Sequence, residues 1–378
     1  MSLNVKFTNN TSISSSDIYW ICFGLDGPDA TANWSYVSVN NGNAALENFT
    51  AGQDCAPLFN SIAALNSFEA LPEMWSGQFL FCFNGLPKTF NIVTTGVPNQ
   101  NHGIGVQTPS FLPGTADANT IFAVVEFTYS GDIWCDSTIV DYFCVPIELE
   151  VIGDTTKSNG IMKSSSNRDS IFTQIENLGA PWSSLIMRDD NSNYVRVIGP
   201  QHGVQQNIIP ADYYSQYVDH VWEKYADTGS EKLTVNCPTF GQYTGTTDTT
   251  ANTFTFKQTG QPDVVINKPT NAYDIFGCVG TLNAPNNTPL GEIAAIVGAA
   301  FNRTVLYEQD IQAYCTTNDF YKLTSGEWAV TNEFAKAVHD NYQSGIYAFP
   351  FDDVCSSDSP LIQVSNPTQF NITLASWD

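Results

Sequence analysis

The first 155 residues break into short β-branched and aromatic runs, each closed off by Gly, Asn, Pro or Asp, and this punctuation most restricts the fold. Val5-Lys6-Phe7, Ile18–Phe23, Trp34–Val39, Gly77–Phe83 and Phe90–Thr94 are too short for helices and are rich in strand-forming residues. Regular short strands separated by turn residues build sandwiches or barrels. The same rhythm returns at the C-terminal end in Gly345–Phe351 and Phe370–Leu374.

Between these stretches the periodicity changes. Ser170–Leu178 predicts a short helix, with Gly179 to end it and Pro181 beyond. In Asp212–Asp227, the residues Tyr214, Tyr217, Val218, Val221, Trp222 and Tyr225 recur at helical spacing, a stripe expected to be core. Leu290–Phe301 and Glu327–Tyr342 predict two more helices. A β stretch covers roughly Leu233–Ile266, and its Thr- and Gly-rich part, Thr244–Thr253, reads as a hairpin tip or flexible loop. Mainly β architecture follows, in two lobes. Residues 1–155, joined by the C-terminal strands at about 345–378, form a β-barrel or sandwich lobe. Residues 156–344 form a mixed α/β lobe, with a wide groove between the two.

Charge narrows the partners. With 14 Lys+Arg against 38 Asp+Glu the net charge is −24, which disfavours nucleic acid and anionic membrane surfaces. A neutral substrate fits. Aromatics make up 13%, a surplus that suits both sheet cores and the apolar faces of sugar rings. The longest apolar run, Ile293–Phe301, is too short to span a bilayer. The four histidines form no H-E-x-x-H, and the nine cysteines no C-x-x-C, so no metal and no cofactor is expected. Asp189–Asn193 begins like a calcium loop but lacks its Gly and distal Glu, and reads as a turn. No nucleophile elbow, P-loop or dinucleotide fingerprint is present.

One hairpin carries chemistry. Val124–Tyr129 and Ile139–Phe143 place one carboxylate each, Glu126 and Asp141, on apolar strands around the turn residues Ser130-Gly131-Asp132. A turn centred near Ile133 and Trp134 would set the two opposite each other on one face. Paired carboxylates either stand as solvated side chains on an outer face or split their pKa values into an acid and a base, the equipment of a glycoside hydrolase. A one-residue register shift would separate them.

Around this pair the chain resembles glycoside hydrolase family 64, the laminaripentaose-producing β-1,3-glucanases of the thaumatin-like superfamily. The resemblance rests on Glu126-Phe127-Thr128, Ile139–Phe143, Pro146–Leu149, Val195–Pro200, Tyr217–Trp222, Ala299–Arg303 and Tyr347–Val354, in that order. It runs from about residue 75 to the end, and the first 70 residues carry little of it. It implies an endo-acting, inverting hydrolase that cuts β-1,3-glucan such as laminarin or curdlan to short oligosaccharides. Glu126 would be the general acid and Asp141 the general base, with the carboxyl groups roughly 6.5–9.5 Å apart to admit a water. Thr128 shares a face with Glu126 and would hydrogen-bond the sugar. Trp134, at the turn, would stack on a glucose ring or pack the loop. Asp136 stands where the family often carries Asn, and its extra charge beside Asp141 would raise the pH optimum or weaken binding. Asp352 and Asp353 would line the groove or hold a turn. A monomer is expected. So is secretion, although Met1-Ser2-Leu3-Asn4-Val5-Lys6-Phe7 shows no signal peptide. The alternative is a non-catalytic, thaumatin-like β-glucan-binding protein, for which both carboxylates would not be needed.

Overall fold

The computed structural model describes residues 2–97, 100–307, 320–321, 328, 330–354 and 359–377. Its β part is a sandwich of two sheets. One has five strands in the order Thr156–Asn159, Ile147–Ile152, Gln369–Leu374, Asn4–Asn9, Ser67–Phe68. The strands nearest the two chain ends, Asn4–Asn9 and Gln369–Leu374, pair in parallel from Asn4 opposite Gln369 to Asn9 opposite Leu374. The larger sheet runs Ile362–Val364, Asp132–Asp136, Ile121–Ser130, Met74–Phe83, Ile18–Leu25, Trp34–Asn40, Asn43–Asn48. The described strands close no barrel, so of the two architectures the pattern allows, the sandwich forms.

Alternation along each strand decides the faces. In Ile121–Ser130 the odd residues Ala123, Val125, Phe127 and Tyr129 enter the core between the sheets with Phe7, Trp20, Phe79, Phe81 and Phe370. The even residues point the other way. There Phe122 joins a second apolar cluster with Leu80, Cys82, Ile21 and Phe23. The same face then carries Glu126 and Thr128. Gly77 lets the sheet close over Phe127: a Cβ at Gly77 would meet the Phe127 ring at 2.6 Å.

The remaining chain packs helices on small sheets around its own core. Asn167 caps the helix Arg168–Asn177 by accepting from the Ser170 amide. Helix Ser215–Lys224 buries Tyr217, Val218, Val221 and Trp222, with Tyr214 and Tyr225 also buried at its ends, so the aromatic stripe is core. Helix Pro289–Asn302 is capped by Thr288 and buried along nearly its whole length. The last helix is Glu333–Asn341, shorter than the sequence pattern suggests; Glu327 and Ala329 lie outside the described residues. Among the described residues no helix is long and apolar enough to cross a membrane.

Three stretches show how the structure resolves or departs from the sequence pattern. Of the two readings of Thr244–Thr253 the hairpin forms and the flexible loop does not: Thr244–Asp248 is strand, paired with Thr253–Lys257 in a four-stranded sheet, and residues 249–252 are the turn. Gly345–Phe351 is not a strand, because its aromatics fill the helical core, and it contributes only an isolated bridge from Tyr347 to Thr138. The apolar run beyond Asp141 divides between two sheets. Tyr142–Phe143 pairs with Tyr194–Ile198, whereas Ile147–Ile152 joins the five-stranded sheet.

Candidate active site

The register of the acidic hairpin differs from the expected one. Gly131, at φ 80°, reverses the chain between Ser130 and Asp132, so the pairs run Ser130–Asp132, Thr128–Trp134 and Glu126–Asp136. The turn therefore lies earlier than the assumed centre at Ile133 and Trp134. Asp136, not Asp141, stands opposite Glu126. Trp134 is likewise on the strand beside Thr128 rather than at the turn.

On its other side Glu126 faces Gln78, whose Nε2 donates to Glu126 Oε1 at 3.1 Å. Gln78, Glu126 and Asp136 thus form a row across three strands, all on the face opposite the sandwich core. Two recesses meet at this row. Thr128, Trp134 and Asp136 line the first with Glu126 and Gln78. Asp141 lines the second, about 370 Å³ in volume, with Phe111, Tyr142 and again Glu126 and Gln78. Glu126 borders both.

Asp141 arrives by another route. The chain leaves the strand at Asp136, and Ile139 N donates to Tyr347 O at 2.9 Å. Asp141 O then accepts from Gly199 N at 2.6 Å, just before Tyr142 pairs with Ile198. The carboxylate itself is 58% exposed and takes His202 Nε2 at 2.8 Å and Gln201 Nε2 at 3.3 Å, both on Oδ1.

Among the described residues no cation pairs with the acid row, and its titration follows. Glu126 is open to solvent on one side but crowded by the sheet on the others. That loss of hydration pushes its pKa up, outweighing the Gln78 bond, and the charge of Asp141 adds to the rise. Asp136 is pushed further, to about 7, by desolvation first and then by Glu126 and Asp353. The negative charge of Glu126 thus helps Asp136 keep its proton toward neutral pH.

Sequence and fold comparisons agree with one another. The family 64 model, described as β-1,3-glucanase, matches residues 1–374. The chain belongs to glycoside hydrolase family 64. That match includes the first 70 residues, where the short motifs are sparse. A glucan endo-1,3-beta-glucosidase of Cellulosimicrobium cellulans is 29% identical over 308 residues, covering 80% of this chain and 53% of the relative. One from Arthrobacter sp. (strain YCWD3) gives the same figures. The chain thus spans about half the length of the curated relatives it matches. Among solved structures, a laminaripentaose-producing β-1,3-glucanase in complex with laminaritetraose superposes with a TM-score of 0.81 at 23% identity, covering 100% of this chain and 99% of that one. A family 64 domain from Clostridium beijerinckii gives 0.78 at 22% identity, covering 100% and 98%. These two share the mainly β fold described above.

Within this family 64 chain, the acidic pair after Phe351 divides. Asp352 is buried: its Oδ1 meets Arg303 Nη2 at 3.0 Å, and its Oδ2 takes His339 Nε2 at 2.8 Å and the Ala348 amide at 2.9 Å. Burial alone would raise its pKa; His339 and Arg303 overcome that and hold it low. Both oxygens are engaged and the side chain is buried, so Asp352 fastens the turn and lines neither recess. Asp353 is half-buried beside Asp136, and its pKa is raised chiefly by desolvation.

Sequence reasoning did not single out Gln78, Gln201, His202 or Phe111 as site residues. Gln78 was detectable, because it alternates with Phe79 and Phe81 in an apolar strand. His202 gives no local signal, since its approach to Asp141 depends on packing 61 residues away in sequence.

Proposed function

We propose that this chain hydrolyses internal linkages of β-1,3-glucan with inversion, releasing short oligosaccharides. Glu126 is the acid and Asp141 the base. The observation that carries the reading is the position of Glu126 on the border of two recesses, with Asp141 lining one of them. A glucan chain laid along both recesses would cross Glu126 at the scissile bond. Glu126 then gives its proton to the glycosidic oxygen as the C1–O bond breaks. A water attacks C1 from the opposite face and loses a proton to Asp141. Thr128 and Trp134 hold the sugar in the first recess, Trp134 by stacking, and Asp136 and Asp353 line its acidic margin. Family membership supports this reading, as do the names of the curated relatives. Solved relatives were crystallised with laminaritetraose and laminarihexaose. The polymer is too large to enter cells, so the enzyme would act outside them, as a monomer.

The test is digestion of laminarin and curdlan, with cellulose as control, by the parent and by Glu126→Gln. Soluble β-1,3 oligosaccharides that fall by about 10²–10⁴-fold in the variant are expected. Equal pull-down on curdlan by both proteins, with no products from either, would leave a glucan-binding protein instead.

A further inference from the structure

We propose that His202 is the positioning residue for Asp141: its Nε2–H fixes one carboxylate oxygen so that the other is presented to the attacking water. This rests on the assignment of Asp141 as the base.

Asp141 sits in a bend outside any strand and is 58% exposed, so its side chain would otherwise rotate freely. Two donors converge on Oδ1, His202 Nε2 at 2.8 Å and Gln201 Nε2 at 3.3 Å, the latter also donating to Val140 O at 3.0 Å. Oδ2 receives no side-chain donor among the described residues. A carboxylate only accepts, so the proton of this contact lies on Nε2. Nδ1 faces the Gln205 side chain at 3.1 Å, an amide that can turn either end toward it. That contact is therefore compatible with the Nε2–H form.

The ring is itself held in place. It meets Phe111 edge-on at 4.8 Å between centroids, and Phe111 stacks on Tyr142, the residue after Asp141, at 5.0 Å. His202 and Gln201 both lie on the helix Pro200–Gln205, whose entry at Gly199 touches the backbone of the Asp141 bend. A Cβ at Gly199 would meet Val140 O at 2.3 Å and Asp141 O at 2.9 Å. Glycine there permits the close approach that brings both donors onto the carboxylate. Gln201 and His202 thus converge on one carboxylate oxygen while Gly199 N holds the backbone carbonyl of the same residue, the arrangement that precise placement of a base requires.

The test compares three variants, His202→Ala, His202→Asn and His202→Gln, on laminarin. A Gln amide nitrogen reaches the place of Nε2, whereas an Asn nitrogen reaches only that of Nδ1. We expect Ala and Asn to lose roughly 10- to 100-fold in kcat with KM held within about threefold, and Gln to recover most of the loss. In parallel, 15N NMR of the parent should show His202 protonated at Nε2, and Asp141→Ala should disturb that signal. Unchanged kcat in His202→Ala, or equal impairment of all three variants, overturns the proposal while leaving the hydrolase reading intact. A parent that releases no sugar from laminarin or curdlan defeats the hydrolase reading, and the role of His202 falls with it.

Discussion

Two groups of carboxylates on this chain behave oppositely. Asp352 is almost wholly buried, yet its pKa is held low, whereas the less buried Asp136 is pushed up to about 7. The difference is countercharge. Arg303 and His339 close on Asp352, while the charges that act on Asp136 among the described residues are those of Glu126 and Asp353. Burial sets the size of the problem and the partners set its sign. One arrangement fastens a turn; the other raises the pKa of carboxyls at the two recesses.

The largest expected break in this contrast is Arg303→Met. It leaves Asp352 buried with His339 alone and should cost about 3–5 kcal/mol in denaturant unfolding at neutral pH. Because the folded pKa of Asp352 is depressed, its stabilising contribution is present above the unfolded carboxylate value and fades as pH falls through the folded one. The loss caused by Arg303→Met should shrink accordingly in acid. Equal destabilisation at pH 7 and pH 3 would show that the guanidinium acts by packing and not by charge.

Asp136→Asn sharpens the other side. A carboxyl whose folded pKa is raised destabilises the fold progressively between its unfolded value of 3.8 and about 7. The variant should therefore equal the parent near pH 3 and exceed it at pH 8, by about 1–2 kcal/mol after allowance for solvent screening. Activity should move the other way. Without the Asp136 carboxyl across the strand from Glu126, the alkaline limb of kcat/KM should move to lower pH. A limb that stays in place would mean Glu126 keeps its proton unaided. The smallest effect is expected from Trp134→Ala, which removes a flat face from the first recess but no charge. KM for laminarin should rise about tenfold with kcat little changed.

How much of this was legible depended on the range of the interaction. The helices at Arg168–Asn177 and Pro289–Asn302 lie within a few residues of their predicted spans, because caps and periodicity are local signals. So do the strands Ile18–Leu25 and Trp34–Asn40. Alternation placed Thr128 on the face of Glu126, as observed, but the partner of Glu126 differed, because the positive φ of Gly131 moved the turn and with it every cross-strand pair. Asp141 reaches the groove through a bend fixed by Tyr347 and Gly199, contacts that no hairpin rule supplies. Gly345–Phe351 looks like a strand because its residues are apolar, yet those side chains serve the helical core. The cysteines illustrate a third case: the seven that are described are buried free thiols, and Cys315 and Cys355 lie outside the described residues.

The central claim is that Glu126 and Asp141 act on opposite faces of the sugar with a water between them. Proton NMR of the first laminari-oligosaccharides released tests it most directly, read before the anomers equilibrate. The account predicts new reducing ends in the α configuration, absent with Glu126→Gln. Initial release of β reducing ends would mean a retaining, covalent route and would contradict it.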